Sequence, residues 1–106
     1  MSVIMTMRVS GDTEQFRRFV ETQQDRMRSI GDAARSSGCL HHRFGIGDGF
    51  VLVVDEWESP EAFQSFFEGN PDIPGVMRDA GALGEPEVTF TEAVSTVDQF
   101  WVDDDL

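Results

Sequence analysis

A chain of 106 residues, 40% hydrophobic and with nine Phe, has the size and composition of one folded domain with a modest core, not of a disordered segment. Eight Arg, no Lys and twenty acids give a net charge of −12, a surface that repels nucleic acid and anionic membranes alike. Cys39 is the lone cysteine, which excludes an intrachain disulfide and a thiolate-based metal site; with no basic-then-apolar leader and no apolar run near the roughly 18 residues of a membrane span, a cytoplasmic location is expected.

The first element is a strand in which Val3, Met5, Met7 and Val9 alternate with Ile4, Thr6 and Arg8, so the odd positions face apolar material. Ser10-Gly11-Asp12 breaks it. Asp12 or Thr13 caps a helix expected to run to about Ser36, with Gln15 in capping-box position. Phe16, Phe19, Val20, Gln23, Met27, Ile30 and Ala34 make its inward stripe, and Gly38 suits the left-handed position that ends it. A second strand, Cys39 to Ile46, places Leu40, His42, Phe44 and Ile46 on one face, with His41 and Arg43 on the other. Gly47-Asp48-Gly49 is a hairpin turn.

The third strand, Phe50 to Trp57, is apolar on both faces over its first half. Ser59 then caps a second helix with Pro60 at its first position, and Phe63, Phe66 and Phe67 recur at helical spacing. A short helix from Asp72 to about Ala80 carries Ile73, Val76 and Met77. A flexible connector through Gly81 and Gly84 leads to a last strand expected over Glu87 to about Val97. The order predicts an α+β fold: a ferredoxin-like βαββαβ unit over residues 1–98, with a four-stranded antiparallel sheet and helices on one face. An acidic tail over 99–106 follows, with Phe100 and Trp101 ahead of Asp103, Asp104 and Asp105. The helix-free sheet face is apolar enough to call for a partner, and the economical one is a second copy packed sheet to sheet.

Charge is unevenly distributed. Residues 1–43 hold seven Arg against five acids, net +2, whereas residues 44–106 hold Arg78 alone against fifteen acids, net −14. Complementary pairing of the first helical region with the acidic half, or merely different solvent faces, accounts for this.

His41 and His42 are strand neighbours and point to opposite faces, so at most one serves as a general base in a pocket. His42 shares the more apolar face and is the better candidate. Glu56, expected on a face with Leu52 and Val54, is a candidate acid or base, or a partner of Arg43 or Arg8. Trp57 and Trp101 are candidates to stack on an aromatic substrate, with Trp57 alternatively a packing plug at the sheet edge. Phe63, Phe66 and Phe67 serve as core or pocket wall. Met77 and Arg78 lie on the short helix, where Arg78 is a salt-bridge partner or an anchor for a phenolate or carboxylate. There is no Gly-rich phosphate loop, no G-x-S-x-G elbow and no H-E-x-x-H pair.

The strand end Glu56-Trp57 followed by Ser59-Pro60-Glu61-Ala62-Phe63 resembles the antibiotic-biosynthesis monooxygenase domain of the dimeric α/β-barrel superfamily, over roughly residues 2–98. The resemblance implies a homodimer through sheet faces and, in each subunit, a pocket between helices and sheet. It also implies cofactor-free oxygenation of a small apolar or aromatic compound, with no metal and no cofactor. The haem-degrading branch departs from this chain: its axial histidine would fall near Met77, where none exists, and its first-strand Asn is missing from Val3-Ile4-Met5-Thr6-Met7. The expected function is a cofactor-independent monooxygenase of a phenolic compound, with His42 or Glu56 removing a proton. The alternative is a non-enzymatic dimeric ligand-binding or structural barrel.

Overall fold

The computed structural model describes residues 1–100, so the expected role of Trp101 and most of the acidic tail lie outside the described residues. The elements are β1 (Val3–Ser10), α1 (Thr13–Thr22), α2 (Gln24–Ser36), β2 (Cys39–Gly47), β3 (Phe50–Trp57), α3 (Pro60–Gly69), α4 (Ile73–Asp79) and β4 (Glu87–Glu92). All strand pairs are antiparallel and the sheet order is β2-β3-β1-β4, the ferredoxin-like arrangement the sequence predicts.

The odd residues of β1 and β3 build the inner sheet face. Met5, Met7, Val53 and Trp57 pack there with Cys39 and Phe63 into the central core, and Trp57 and Met5 are the most deeply buried large side chains. α3 starts where the sequence punctuates it: the Ser59 hydroxyl accepts from the Ala62 amide at 3.1 Å, and Pro60 opens the first turn. Asp12 caps α1, accepting from the amides of Glu14 and Gln15 at 3.0 Å. The Gln15 side chain does not complete a capping box; it reaches across to donate to the Asp79 carbonyl at 3.0 Å and ties α1 to the end of α4.

Three boundaries depart from expectation. The single long helix is two helices, broken at Gln23 (φ −120°, ψ 42°). Just before the break the Thr22 hydroxyl donates back to the Arg18 carbonyl at 2.7 Å, a bond that bends helices by competing for the carbonyl of the preceding turn. β4 stops at Glu92 rather than near Val97. Its partner β1 begins at Val3, opposite Glu92, and one further backbone bond, from the Ala93 amide to the Ser2 carbonyl at 3.1 Å, closes the ladder. The connector after α4 is pinned rather than free: Leu83 donates to the Ser10 carbonyl at 2.8 Å and Asp12 to the Gly81 carbonyl at 3.1 Å. Gly11 has to be glycine there, because a Cβ would lie 2.4 Å from the Gly81 carbonyl oxygen.

The outer sheet face carries Phe50, Leu52, Val54 and Glu56 of β3 with Ile4, Thr6 and Arg8 of β1. The Arg8 guanidinium lies 3.6 Å above the Phe50 ring and covers it. Ile4 and Val54 stay about 40% exposed.

Candidate active site

α2 buries none of its residues fully, although its sequence is amphipathic. It stands off the sheet and leaves a cavity of about 1100 Å³ between the helices and the inner sheet face. Its walls include Met7, Phe16, Met27, Phe44, Ile73 and Val76, so it is mostly apolar.

A paired histidine and aspartate lie in this lining. His42 of β2 lies directly opposite Asp55 of β3, and its Nδ1 is 2.7 Å from Asp55 Oδ1. The other carboxylate oxygen accepts from the Trp57 indole Nε1 at 3.0 Å. Asp55 is only 6% exposed, so both its oxygens are committed to a histidine and an indole in a desolvated setting. A carboxylate only accepts, which places the Nδ1 proton on the imidazole and leaves the Nε2 lone pair on the far side of the ring. The ring is partly open to the cavity and meets Phe44 edge-on, with centroids 4.7 Å apart. A base held in one tautomer beside an aromatic wall can accept a proton from a phenol lying on that wall.

The expected residues divide clearly. His42, Trp57, Phe63, Phe66, Phe67 and Met77 all line the cavity. Trp57 and the Phe residues form one aromatic block: Trp57 meets Phe63 and Phe66 at 5.5 and 5.4 Å, and Phe63 stacks on Phe67 at 5.4 Å. Glu56 is on the other side of the sheet. The alternation that buries Val51, Val53 and Trp57 turns Glu56 outward, where it accepts from the Ser2 hydroxyl at 2.6 Å. Its neighbour Asp55 is the carboxylate that faces inward. Arg78 also lies outside the cavity lining. The inward stripe of α4 is Ile73, Val76 and Met77, continued by Ala80 just past its end, and Arg78 falls on the solvent side, 3.3 Å from Asp79.

Sequence reasoning passed over Asp55, yet a signal for it exists. Counting outward from the Asp48-Gly49 turn pairs Gly47 with Phe50, Phe44 with Val53 and His42 with Asp55. A bulge at Leu40 then restores Cys39 to the inner face, opposite Trp57. Cys39 lines the cavity too, but burial, with the nearby Asp55 charge, pushes its thiol up to about 11, so it stays protonated and a poor nucleophile. Among the described residues no group of three or more His, Cys, Asp or Glu is placed to hold a metal ion.

No protein-family model matches this sequence, and no curated protein matches it. Solved structures do match its fold. One is a monooxygenase from the gene ActVA-Orf6 of Streptomyces coelicolor, in complex with nanaomycin D, at 16% identity and a TM-score of 0.64 over 93% of each chain. Another is SnoaB, a cofactor-independent oxygenase from Streptomyces nogalater, at 14% identity and a TM-score of 0.60, covering 92% of this chain and 98% of that one. A third, described as an antibiotic biosynthesis monooxygenase, has 13% identity and a TM-score of 0.61 over 88% of this chain and 99% of its own. At these identities the likeness is one of fold: this chain has the ferredoxin-like fold of solved antibiotic biosynthesis monooxygenases, the family its strand end and third helix resemble.

Proposed function

We propose that this protein is a cofactor-independent monooxygenase that acts on a phenolic aromatic compound in the cytoplasm, as a homodimer joined through its outer sheet faces. The observation that carries the reading is the His42–Asp55 pair, 2.7 Å apart and set into the wall of an apolar cavity. His42 takes the phenol proton through Nε2, and Asp55 stabilises the imidazolium that forms. The apolar cavity then holds an electron-rich phenolate, which transfers an electron to dioxygen. Radical recombination forms a C–O bond at a ring carbon. Loss of the ring C–H proton and cleavage of the O–O bond yield a quinone and water, so that one oxygen atom enters the product and the substrate supplies the electrons that reduce the other. The dimer is supported by the partly exposed Ile4 and Val54 on a sheet face that no helix covers among the described residues. The cytoplasmic setting is supported by the free, buried Cys39; among the described residues no helix is long and apolar enough to cross a membrane.

The test is oxygen uptake with 1-naphthol, with product mass measured under ¹⁸O₂. The expected product is 1,4-naphthoquinone with one ¹⁸O atom, and His42→Ala lowers the rate by about 10²-fold or more. No uptake across a panel of naphthols and anthrols, or uptake indifferent to His42→Ala, overturns the reading in favour of a ligand-binding barrel.

A further inference from the structure

Two residues of α2 line the cavity, Gly31 without packing against and Arg35 without pairing with another side chain among the described residues. Gly31 sits inside the helix, where glycine weakens helix formation, and it is not among the glycines with positive φ. It lines the cavity, and a Cβ built on it would meet nothing within 4 Å. Packing therefore does not demand glycine there, in contrast to Gly11. One turn later on the same stripe is Arg35, also on the cavity lining, exposed, and without an ion-pair partner among the described residues. The other α2 arginines differ: Arg26 is held by Asp79 at 3.0 Å and Arg28 by Asp25 at 3.3 Å. Across the cavity from α2 stand His42 and Phe44 on the sheet.

We infer that α2 selects a planar, fused-ring phenol bearing a carboxylate: the ring slides beneath Gly31, onto Phe44 and His42, and the carboxylate pairs with Arg35. The missing side chain at residue 31 leaves open space on the cavity wall that a larger residue would fill. Arg35 supplies a planar fork of donors matched to a carboxylate. In a chain of net charge −12, a cation on the cavity rim favours an anionic ligand there, and Arg35 does so beside Asp32 and Arg43, which share the lining. The inference rests on the reading of the cavity as an aromatic-binding site and adds the charge and shape of what it admits.

Calorimetric titration of the full chain with 1-hydroxy-2-naphthoate and with neutral 1-naphthol tests it without requiring turnover. The naphthoate is expected to bind about tenfold tighter or more, and Arg35→Leu is expected to erase that preference, whereas Arg18→Leu, an exposed α1 variant off the cavity, retains it. Gly31→Leu is expected to weaken both compounds about tenfold or more while leaving the thermal midpoint equal or higher, because leucine is the better helix former. Equal affinities in the wild type, no binding of either compound, a preference that survives Arg35→Leu (Arg35 then serving only the C-terminal end of its helix), or undiminished binding by Gly31→Leu overturns the inference. Selective binding without oxygen uptake leaves the inference standing and sinks the monooxygenase. Uptake with neutral naphthol and no carboxylate preference does the reverse.

Discussion

At the scale of single residues the proposed chemistry rests on three side chains, His42, Asp55 and Trp57. Asp55 accepts from both neighbours, so replacing it by Asn does more than remove a charge. An Asn that turns its carbonyl to the Trp57 indole offers its amide protons to His42 Nδ1. The imidazole proton then moves to Nε2, and the base can no longer accept from a substrate in the cavity. Asp55→Asn is expected to lower oxygen uptake by about 10²-fold or more while preserving naphthol affinity, a split between kcat and KM that steady-state kinetics reads directly. Trp57→Phe keeps the aromatic block but frees one carboxylate oxygen of Asp55, and is expected to cost about 1–3 kcal/mol of stability in urea denaturation. Cys39 provides a pH marker. Its folded thiol titrates near 11 against an ordinary 9.0, so the folded state holds its proton more tightly than the unfolded chain does. Stability from this group is full below pH 9 and is lost as pH rises from 9 towards 11, by roughly 1–3 kcal/mol. Cys39→Ser, whose hydroxyl does not titrate there, should flatten that part of the stability–pH curve; an unchanged slope would show that the thiol is not its source.

Local punctuation makes some elements legible from sequence and leaves others hidden. Ser59-Pro60 fixes the start of α3, and Asp48-Gly49 fixes the hairpin, because each supplies a bond or a backbone angle that needs no distant partner. The prediction that belongs to this scale is Ser59→Ala. It leaves the Ala62 amide without its 3.1 Å acceptor and is expected to cost about 1 kcal/mol in urea denaturation, lowering the thermal midpoint by about 4–8 °C. The hidden features depend on other elements. The break at Gln23 carries no Gly or Pro to announce it. The end of β4 is set by where β1 begins. The sequence favours Glu56 over Asp55 as the inward carboxylate because both faces of the run Phe50–Val54 are apolar, and only the burial of Trp57 decides between them. The aromatic lining was readable because Phe63, Phe66 and Phe67 share a helix face, whereas the polar centre needed a register, and Gly31 and Arg35 needed the separation of α2 from the sheet.

Association is decided by the whole molecule. The outer sheet face offers Ile4, Leu52 and Val54 among threonines, while each chain carries a net charge of −12. Burying the apolar strip favours two copies face to face, and bringing two strongly acidic chains together opposes it. Salt distinguishes the two terms. Screening at about 0.5 M removes most repulsion between charges beyond a Debye length of roughly 4–5 Å and leaves apolar burial intact. A dimer of 11.9 kDa chains held by this face should therefore tighten as NaCl rises from 0.05 to 0.5 M, by sedimentation equilibrium, and Val54→Asp should return it to monomer without unfolding it. Val54 points away from the cavity, so its change leaves the His42–Asp55 pair untouched and separates assembly from chemistry. Loosening of the dimer with salt would instead assign the contact to ion pairs involving groups such as Arg8 and Glu56, and the apolar strip would lose its claim to be the interface.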